Sequence, residues 1–300
     1  MMKLLITGAG GFIGRHVCLK ASLNHQVLGV CRSRPEAIPG VVHRSVDLAD
    51  LSALTGVFRD FRPDGVIHLA AMSGLAACQN DPASSYKINV SASLRIAELC
   101  AEASVPCVFT STDIVFNGRC PPYRETDPVA PVNVYGEHKV LAEAAMQTAY
   151  PDVSVCRLSL VFGMDGRWMR PDGKVMFEGT ALKLFVDEFR TPVAVGCLVD
   201  GLLLALEQAP GILHLGGGER ISRYDFGLLT AEMLSYNNAH IAACLQKEMP
   251  LGARRPADVS LNIDKAKALG FHPRSLREEL NSLIMLHRNH TRNRLNNIKK

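Results

Sequence analysis

Short apolar runs alternate with longer amphipathic segments through the first half of the chain. The runs Lys3–Thr7, Gln26–Cys31, Val41–Asp47, Gly65–Ala70, Pro106–Ser111 and Val153–Ser159 have the length and content of strands. Between them, apolar positions recur at helical spacing over about Phe12–Leu23, Leu51–Phe61, Ala83–Ala103 and Val134–Tyr150. Strands alternating with helices of this length predict βαβ units, right-handed crossovers and an α/β, doubly wound parallel sheet. After Gly163 the alternation loosens. Met164–Gly179 is polar and Gly-rich, holds the single tryptophan, Trp168, and reads as a long loop. Strand–helix pieces then return at Pro192–Val195 with Leu198–Gln208, and at Ile212–Leu215 with Ser222–Leu234.

This pattern predicts a nucleotide-binding unit over residues 1–163 with a return at about 190–216. A smaller, irregular C-terminal part, 164–189 and 217–286, is expected to bind substrate, and 287–300 to be a disordered tail. The tail carries five Lys or Arg and no acid, so the formal charge of +4 leaves a body near −1. The basic balance therefore belongs to a solvated end, and without aromatic or amphipathic interleaving it points to neither nucleic acid nor membrane. No apolar run reaches membrane-spanning length, and the opening MMKLLITGAG begins a strand at once, which predicts no signal peptide. The nine cysteines are scattered without a CxxC pair, which predicts neither disulfide framework nor metal site and suits the cytoplasm.

Thr7-Gly8-Ala9-Gly10-Gly11-Phe12-Ile13-Gly14 follows the first strand and opens a helix. Glycines at 8, 11 and 14 allow a tight turn, close approach of a pyrophosphate and helix packing on the sheet, the Rossmann-type fingerprint of a dinucleotide cofactor. The second strand ends in Arg32, with Arg34 nearby, where an NAD site usually has an acid. Arginine suits a 2′-phosphate, so NADP(H) is preferred and NAD(H) is second choice. Asp47 and Leu48 are placed to meet adenine, and Leu69, Ala70 and Ala71 to let the cofactor pass.

Tyr135-Gly136-Glu137-His138-Lys139 opens a helix, and residues four apart share a face. An ammonium beside a buried phenol is expected to lower its pKa, making Tyr135 a proton donor or acceptor near neutral pH. The strand end Ser111-Thr112-Asp113 lies 23 residues earlier and supplies a hydroxyl.

Together these motifs resemble the extended short-chain dehydrogenases/reductases, which mostly act on sugar nucleotides. TGAGGFIG, DL (47–48), HLAA (68–71), STDIVFNG (111–118), YGEHK and RPADVSLNIDKAKALG (255–270) carry the resemblance over nearly the whole chain. It implies Thr112 as hydrogen-bond donor to a carbonyl, Tyr135 as acid/base, Lys139 on cofactor ribose, and Asn89 as a further family position or a helix-packing polar residue. STD-x-VFxG, E-x-D-x-x-x-P-x-N-x-YG and RP-x-D look most like the dTDP-4-dehydrorhamnose reductases, which reduce a nucleotide-linked 4-keto-6-deoxy sugar.

Departures bear on the substrate. Ile114 stands where dehydratases of the family carry Glu and rhamnose reductases an aromatic ring, and Leu160 where the latter carry Trp. Dehydration is thereby disfavoured and another sugar is expected, met by Ser73, Asp113, Ile114, Leu160 and Arg190. Arg190 lies in a segment that departs from the usual DQ-x-G-x-P and is expected to meet a charged substrate group; His138 replaces the usual Ser or Thr and is expected to face outward. Two other functions stay open: an NADP-binding regulatory subunit resembling the β subunit of methionine adenosyltransferase, and a sugar-nucleotide epimerase. The expected partner is a small sugar nucleotide, with a homodimer as the candidate assembly.

Overall fold

The computed structural model describes residues 1–33, 37–164, 182–208, 210–235 and 240–286. Arg34, the expected loop beyond Met164 with Trp168, and the 287–300 tail lie outside the described residues.

In chain order the strands are β1 (Lys3–Thr7), β2 (Gln26–Cys31), β3 (Val41–Ser45), β4 (Gly65–His68), β5 (Cys107–Thr112), β6 (Ser154–Leu158), β7 (Val161–Phe162), β8 (Leu182–Phe185), β9 (Phe189–Arg190), β10 (Val193–Ala194), β11 (Gly211–Leu215), β12 (Ile221–Ser222) and β13 (Ile241–Cys244). The helices are α1 (Phe12–Ala21), α2 (Leu51–Phe61), α3 (Leu75–Asn80), α4 (Pro82–Tyr86), α5 (Ala92–Ala103), α6 (Val134–Ala149), α7 (Val195–Gln208), α8 (Arg223–Met233) and α9 (Asp264–Ala268). Residues 276–286 are also helical.

Seven strands form one parallel sheet in the order β11-β6-β5-β4-β1-β2-β3. Strand alternation sends Leu4 and Ile6 into one core with Val17, Leu198 and Leu202, while Leu5 faces the other with Leu54, Ile96 and Met146. Both sheet faces are thus covered, by α1 and α7 on one side and α2, α5 and α6 on the other. That double cover is why the central strands read as continuous apolar runs. Chain direction away from β1 reverses between β1 and β4, and that switch point opens a crevice at the strands' C-terminal ends.

Beyond the sheet, β7 pairs with β10, β9 with β12 and β8 with β13. Phe162 and Phe226 meet edge to face at 5.2 Å within a separate apolar cluster with Leu276 and Leu280. None of the helices described is long and apolar enough to cross a membrane.

Two elements differ from the periodicity. Leu75–Asn80 is a helix that its short, six-residue run before Pro82 did not announce. The single helix expected over Ala83–Ala103 is divided: Asp81 caps α4 by accepting the Ser84 N–H at 3.0 Å, and a π turn spans Lys87–Ser91 before α5. The widened turn places Asn89 toward the loop after β4.

Candidate active site

The glycine turn is built for close approach. Gly8 has φ +72°, and a Cβ there would stand 2.8 Å from the Ala70 nitrogen. At Gly14 a Cβ would meet the Gly8 carbonyl oxygen at 2.0 Å, so only glycine lets α1 sit against the turn. Gly11 precedes α1 with no side-chain cap, and the first helical turn holds no acid. The amide hydrogens and partial positive charge of the helix start therefore remain for an anion, which fits a dinucleotide pyrophosphate. Gly10 is exposed at the turn's tip, while Phe12 and Ile13 are half-buried; the Phe12 ring packs at Gly163.

The crevice floor is a chain of neutral hydrogen bonds. Ser93 donates to the Asn89 carbonyl at 2.8 Å, so His68 Nε2–H donates to Ser93 at 2.9 Å. His68 Nδ1 then accepts the Thr7 proton at 2.6 Å, and Thr7 accepts the Ala70 N–H at 3.2 Å. Burial, with Lys139 adding to it, drives the His68 pKa down to about 3 and keeps the ring neutral. Next to it, Asn89 clasps Met72, accepting its N–H at 2.8 Å and donating to its carbonyl at 3.0 Å. Asn89 also donates to Ser85 at 3.1 Å, and Ser85 donates to His138 Nδ1 at 2.8 Å. His138 is therefore buried, correcting its outward placement: the position faces the Ser85 hydroxyl, and burial lowers its pKa against the pull of Glu137.

The chemical strand end meets α6 through backbone. Asn133 caps α6, accepting the Gly136 N–H at 2.9 Å and donating to the Arg254 carbonyl at 2.9 Å. A Cβ on Gly136 would reach the Ile114 carbonyl oxygen at 2.6 Å, so glycine lets the helix start close on the Thr112–Ile114 turn. Tyr135 and Lys139 share the buried face, and the Thr112 hydroxyl is the phenol's hydrogen-bond neighbour. Lys139 Nζ lies 3.9 Å from the Phe109 ring centroid, and burial lowers its pKa to about 7 against the opposing charge of Glu143. The expected lowering of the Tyr135 pKa is reversed. Burial, then Cys78 and Asp113, raise it, and the hydrogen bond with the Thr112 hydroxyl, which lowers it, does not outweigh them.

Arg190 also departs from expectation. It is buried, pairing with Asp113 at 3.4 Å and Glu188 at 3.3 Å, because two internal acids need its charge more than a ligand could. Asp113 is an anchor: it accepts from Ser159 at 3.2 Å as well. Ile114 and Leu160 are half-buried and Ser73 is exposed. Arg32 is exposed at the end of β2, and exposed Asp47 accepts the Ala49 N–H at 2.9 Å beside buried Leu48. Leu69, Ala70 and Ala71 are half-buried along the crevice.

Sequence reading quoted Thr7 and His68 within motifs without giving either a role, and passed over Glu143 and Arg157. Glu143 accepts from Ser111 and from Arg157 at 2.8 Å, with both charges buried under the strand end. Their signals were a histidine ending the apolar run GVIH and an arginine inside a buried strand, each demanding a partner. All nine cysteines are unpaired thiols, and among the described residues no cluster of His, Cys, Asp or Glu could hold a metal.

Comparison with known proteins follows this geometry. The profile of a family described as RmlD substrate binding domain matches residues 2–288. A dTDP-4-dehydrorhamnose reductase of Mycolicibacterium smegmatis is 29% identical over 292 residues, 94% of this chain and 85% of that protein. Methionine adenosyltransferase 2 subunit beta of Pongo abelii is 28% identical over 288 residues, 91% of this chain and 84% of that protein. The crystal structure of a dTDP-4-dehydrorhamnose reductase from Clostridium acetobutylicum superposes with TM-score 0.81 at 25% identity, covering 95% of this chain and 99% of that one.

Proposed function

The chain belongs to the RmlD substrate binding domain family of NAD(P)-dependent oxidoreductases, and we propose that it reduces the carbonyl of a nucleotide-linked 4-keto sugar with NADPH. The observation that carries this reading is the meeting of Thr112 and Tyr135 at the end of β5, with buried Lys139 on the same helix face and the glycine turn following β1 at the same edge of the sheet. A nicotinamide cofactor held in this crevice would supply hydride to the carbonyl carbon. Tyr135 delivers the proton to the carbonyl oxygen; a phenol is protonated through neutral pH, the form a reduction consumes. Thr112 lies beside the phenol to orient that oxygen. Lys139 holds ribose hydroxyls, and bringing an anionic cofactor next to it restores the proton that burial had loosened.

Arg32, exposed where a 2′-phosphate would lie, supports NADPH over NADH. The smaller C-terminal part would bind the sugar, with half-buried Ile114 and Leu160 offering it an apolar, ring-free surface. On that surface dTDP-4-dehydrorhamnose should be a poor substrate, because the aromatic faces that rhamnose reductases offer are missing. Nine unpaired thiols suit a reducing cytosol, and a homodimer is the assembly to test by light scattering.

The similarity to the methionine adenosyltransferase β subunit supports a second reading, an NADP-binding partner without turnover. Screening nucleotide sugars for thermal stabilisation with NADPH, then following NADPH oxidation on each hit, separates the two. Oxidation supports the reductase; stabilisation by NADPH alone, with no oxidation on any keto-sugar, refutes it.

A further inference from the structure

Lys139 is buried, and among the described residues no hydrogen bond or ion pair reaches its Nζ. What does reach it is the Phe109 ring, whose centroid lies 3.9 Å away. Non-bonded heavy atoms stay about 3.5–4 Å apart, so a nitrogen meeting the ring edge-on would stand farther from the centroid by the ring's radius. The ammonium therefore sits over the ring face, where the π electrons are concentrated. Glu143, one turn along α6, is the obvious counter-ion, yet both of its oxygens are taken. They accept from Arg157 at 3.1 and 2.8 Å, and one of them also takes the Ser111 proton.

The ring is held in its plane. Phe109 is fully buried in β5, and its register partner His68 in β4 stacks on it at 5.6 Å with the planes 25° apart. His68 is pinned at both ring nitrogens, by Thr7 and by Ser93. A carboxylate in the ring's place would hold the ammonium, but it would also repel a dinucleotide's phosphates and occupy N–H donors that ribose needs. An aromatic face attracts a cation and brings no net charge.

We propose that Phe109 is a positioning residue: its face, locked by His68, holds Lys139 as an ammonium in place of a counter-ion and leaves the N–H donors for the cofactor. The inference rests on Lys139 as a cofactor contact and adds what keeps it charged before the cofactor arrives. Burial has taken the Lys139 pKa down to about 7, so losing the ring's support would discharge it at neutral pH. Of the titratable groups around it, Glu143 on α6 favours the ammonium at longer range and His68 on β4 stays neutral. Tyr135, one turn earlier, is raised and uncharged in this range, and Asp113 past the end of β5 is answered by Arg190.

Fluorine withdraws charge from a ring face while leaving the ring nearly the same shape, which separates this role from packing. The full chain is made with lysine isotopically enriched at Cε, and the resonance missing from Lys139→Met is followed against pH. Replacing Phe109 alone by singly and then triply fluorinated phenylalanine should lower the Lys139 midpoint stepwise, by about 1 pH unit with three fluorines, tenfold in proton affinity. A ring that only fills space gives one midpoint throughout; an unmoved or rising midpoint in the folded protein overturns the proposal. The singly fluorinated ring, one atom different, decides the sign alone if the triply fluorinated chain does not fold. On the same proteins NADPH affinity should begin to fall where Lys139 loses its proton, so that break should move down with the midpoint. A midpoint that moves while the break stays fixed takes Lys139 off the cofactor and still leaves Phe109 holding its charge. The resonance needs neither substrate nor cofactor, so it stands whatever the chain reduces.

Discussion

The two walls of the crevice are built from opposite polar chemistry. On the β1–β4 side, Thr7, His68, Ser93 and Asn89 form a neutral lattice in which every assigned proton has one acceptor. On the β5–β9 side, buried Asp113, Arg190 and Glu188 and half-buried Arg255 form a chain of charges, with Glu143–Arg157 beneath the same strand end. A neutral wall can receive an anionic dinucleotide without first giving up a counter-charge. The ionic wall instead fixes a field around the phenol proposed to move a proton. Lys139 stands where the walls meet, close enough to depress His68 and itself depressed by burial.

The largest expected effect breaks the ionic wall's function. Tyr135→Phe should lower kcat by about 10²–10⁴-fold while NADPH affinity, measured by fluorescence titration, stays within twofold. Equal turnover would remove the acid from the account.

On the neutral wall, Gly14→Ala sets a Cβ 2.0 Å from the Gly8 carbonyl oxygen. The turn must shift, costing about 1–3 kcal/mol of stability, and NADPH binding should weaken by at least tenfold. Wild-type affinity in a calorimetric titration would mean that the cradle does not hold the cofactor.

His68 tests the neutrality itself. Its folded pKa is about 3 against an ordinary 6.5, so the unfolded chain binds a proton in that window that the folded chain refuses. Stability from this residue is therefore complete above pH 6.5 and falls as pH drops toward 3. His68→Gln should cost about 1–3 kcal/mol at pH 7, a gap that narrows by pH 4.5 in urea denaturation. A constant gap would mean that His68 is not held neutral.

Arg32→Ser should reduce the preference for NADPH over NADH by roughly tenfold, a change of about 1.4 kcal/mol in relative binding. The smallest effect belongs to the junction. With Lys139 near pKa 7, NADPH binding at pH 8 should take up a fraction of a proton, visible as a buffer-dependent binding enthalpy that Lys139→Met abolishes.

What the sequence made legible was whatever local spacing encodes. Alternation in Leu4-Leu5-Ile6 follows from a sheet covered on both faces, the glycines of 8–14 mark a turn, and Tyr135 with Lys139 share a helix face. The α3 helix and the π turn stayed hidden, since one is too short at six residues to show a helical period and the other inserts itself into an unbroken one. Partner identity was hidden for a different reason. His138 meets Ser85 across 53 residues, and Arg255 meets Glu188 across 67, distances over which periodicity carries no information. Arg190 was read as available for substrate because a lone arginine shows its charge in sequence and its acid only in the fold. The sign of the Tyr135 shift was missed likewise: a neighbouring lysine is visible along the helix, and the burial that overrides it is not.

The central claim is that this crevice passes hydride and proton to a sugar carbonyl. It is tested most directly by offering nucleotide-linked 4-keto sugars with NADPH deuterated at its hydride carbon, and weighing the product by mass spectrometry. One deuterium is expected on the former carbonyl carbon with wild-type protein and almost none with Tyr135→Phe. A keto-sugar that binds with NADPH yet never acquires the label would contradict it.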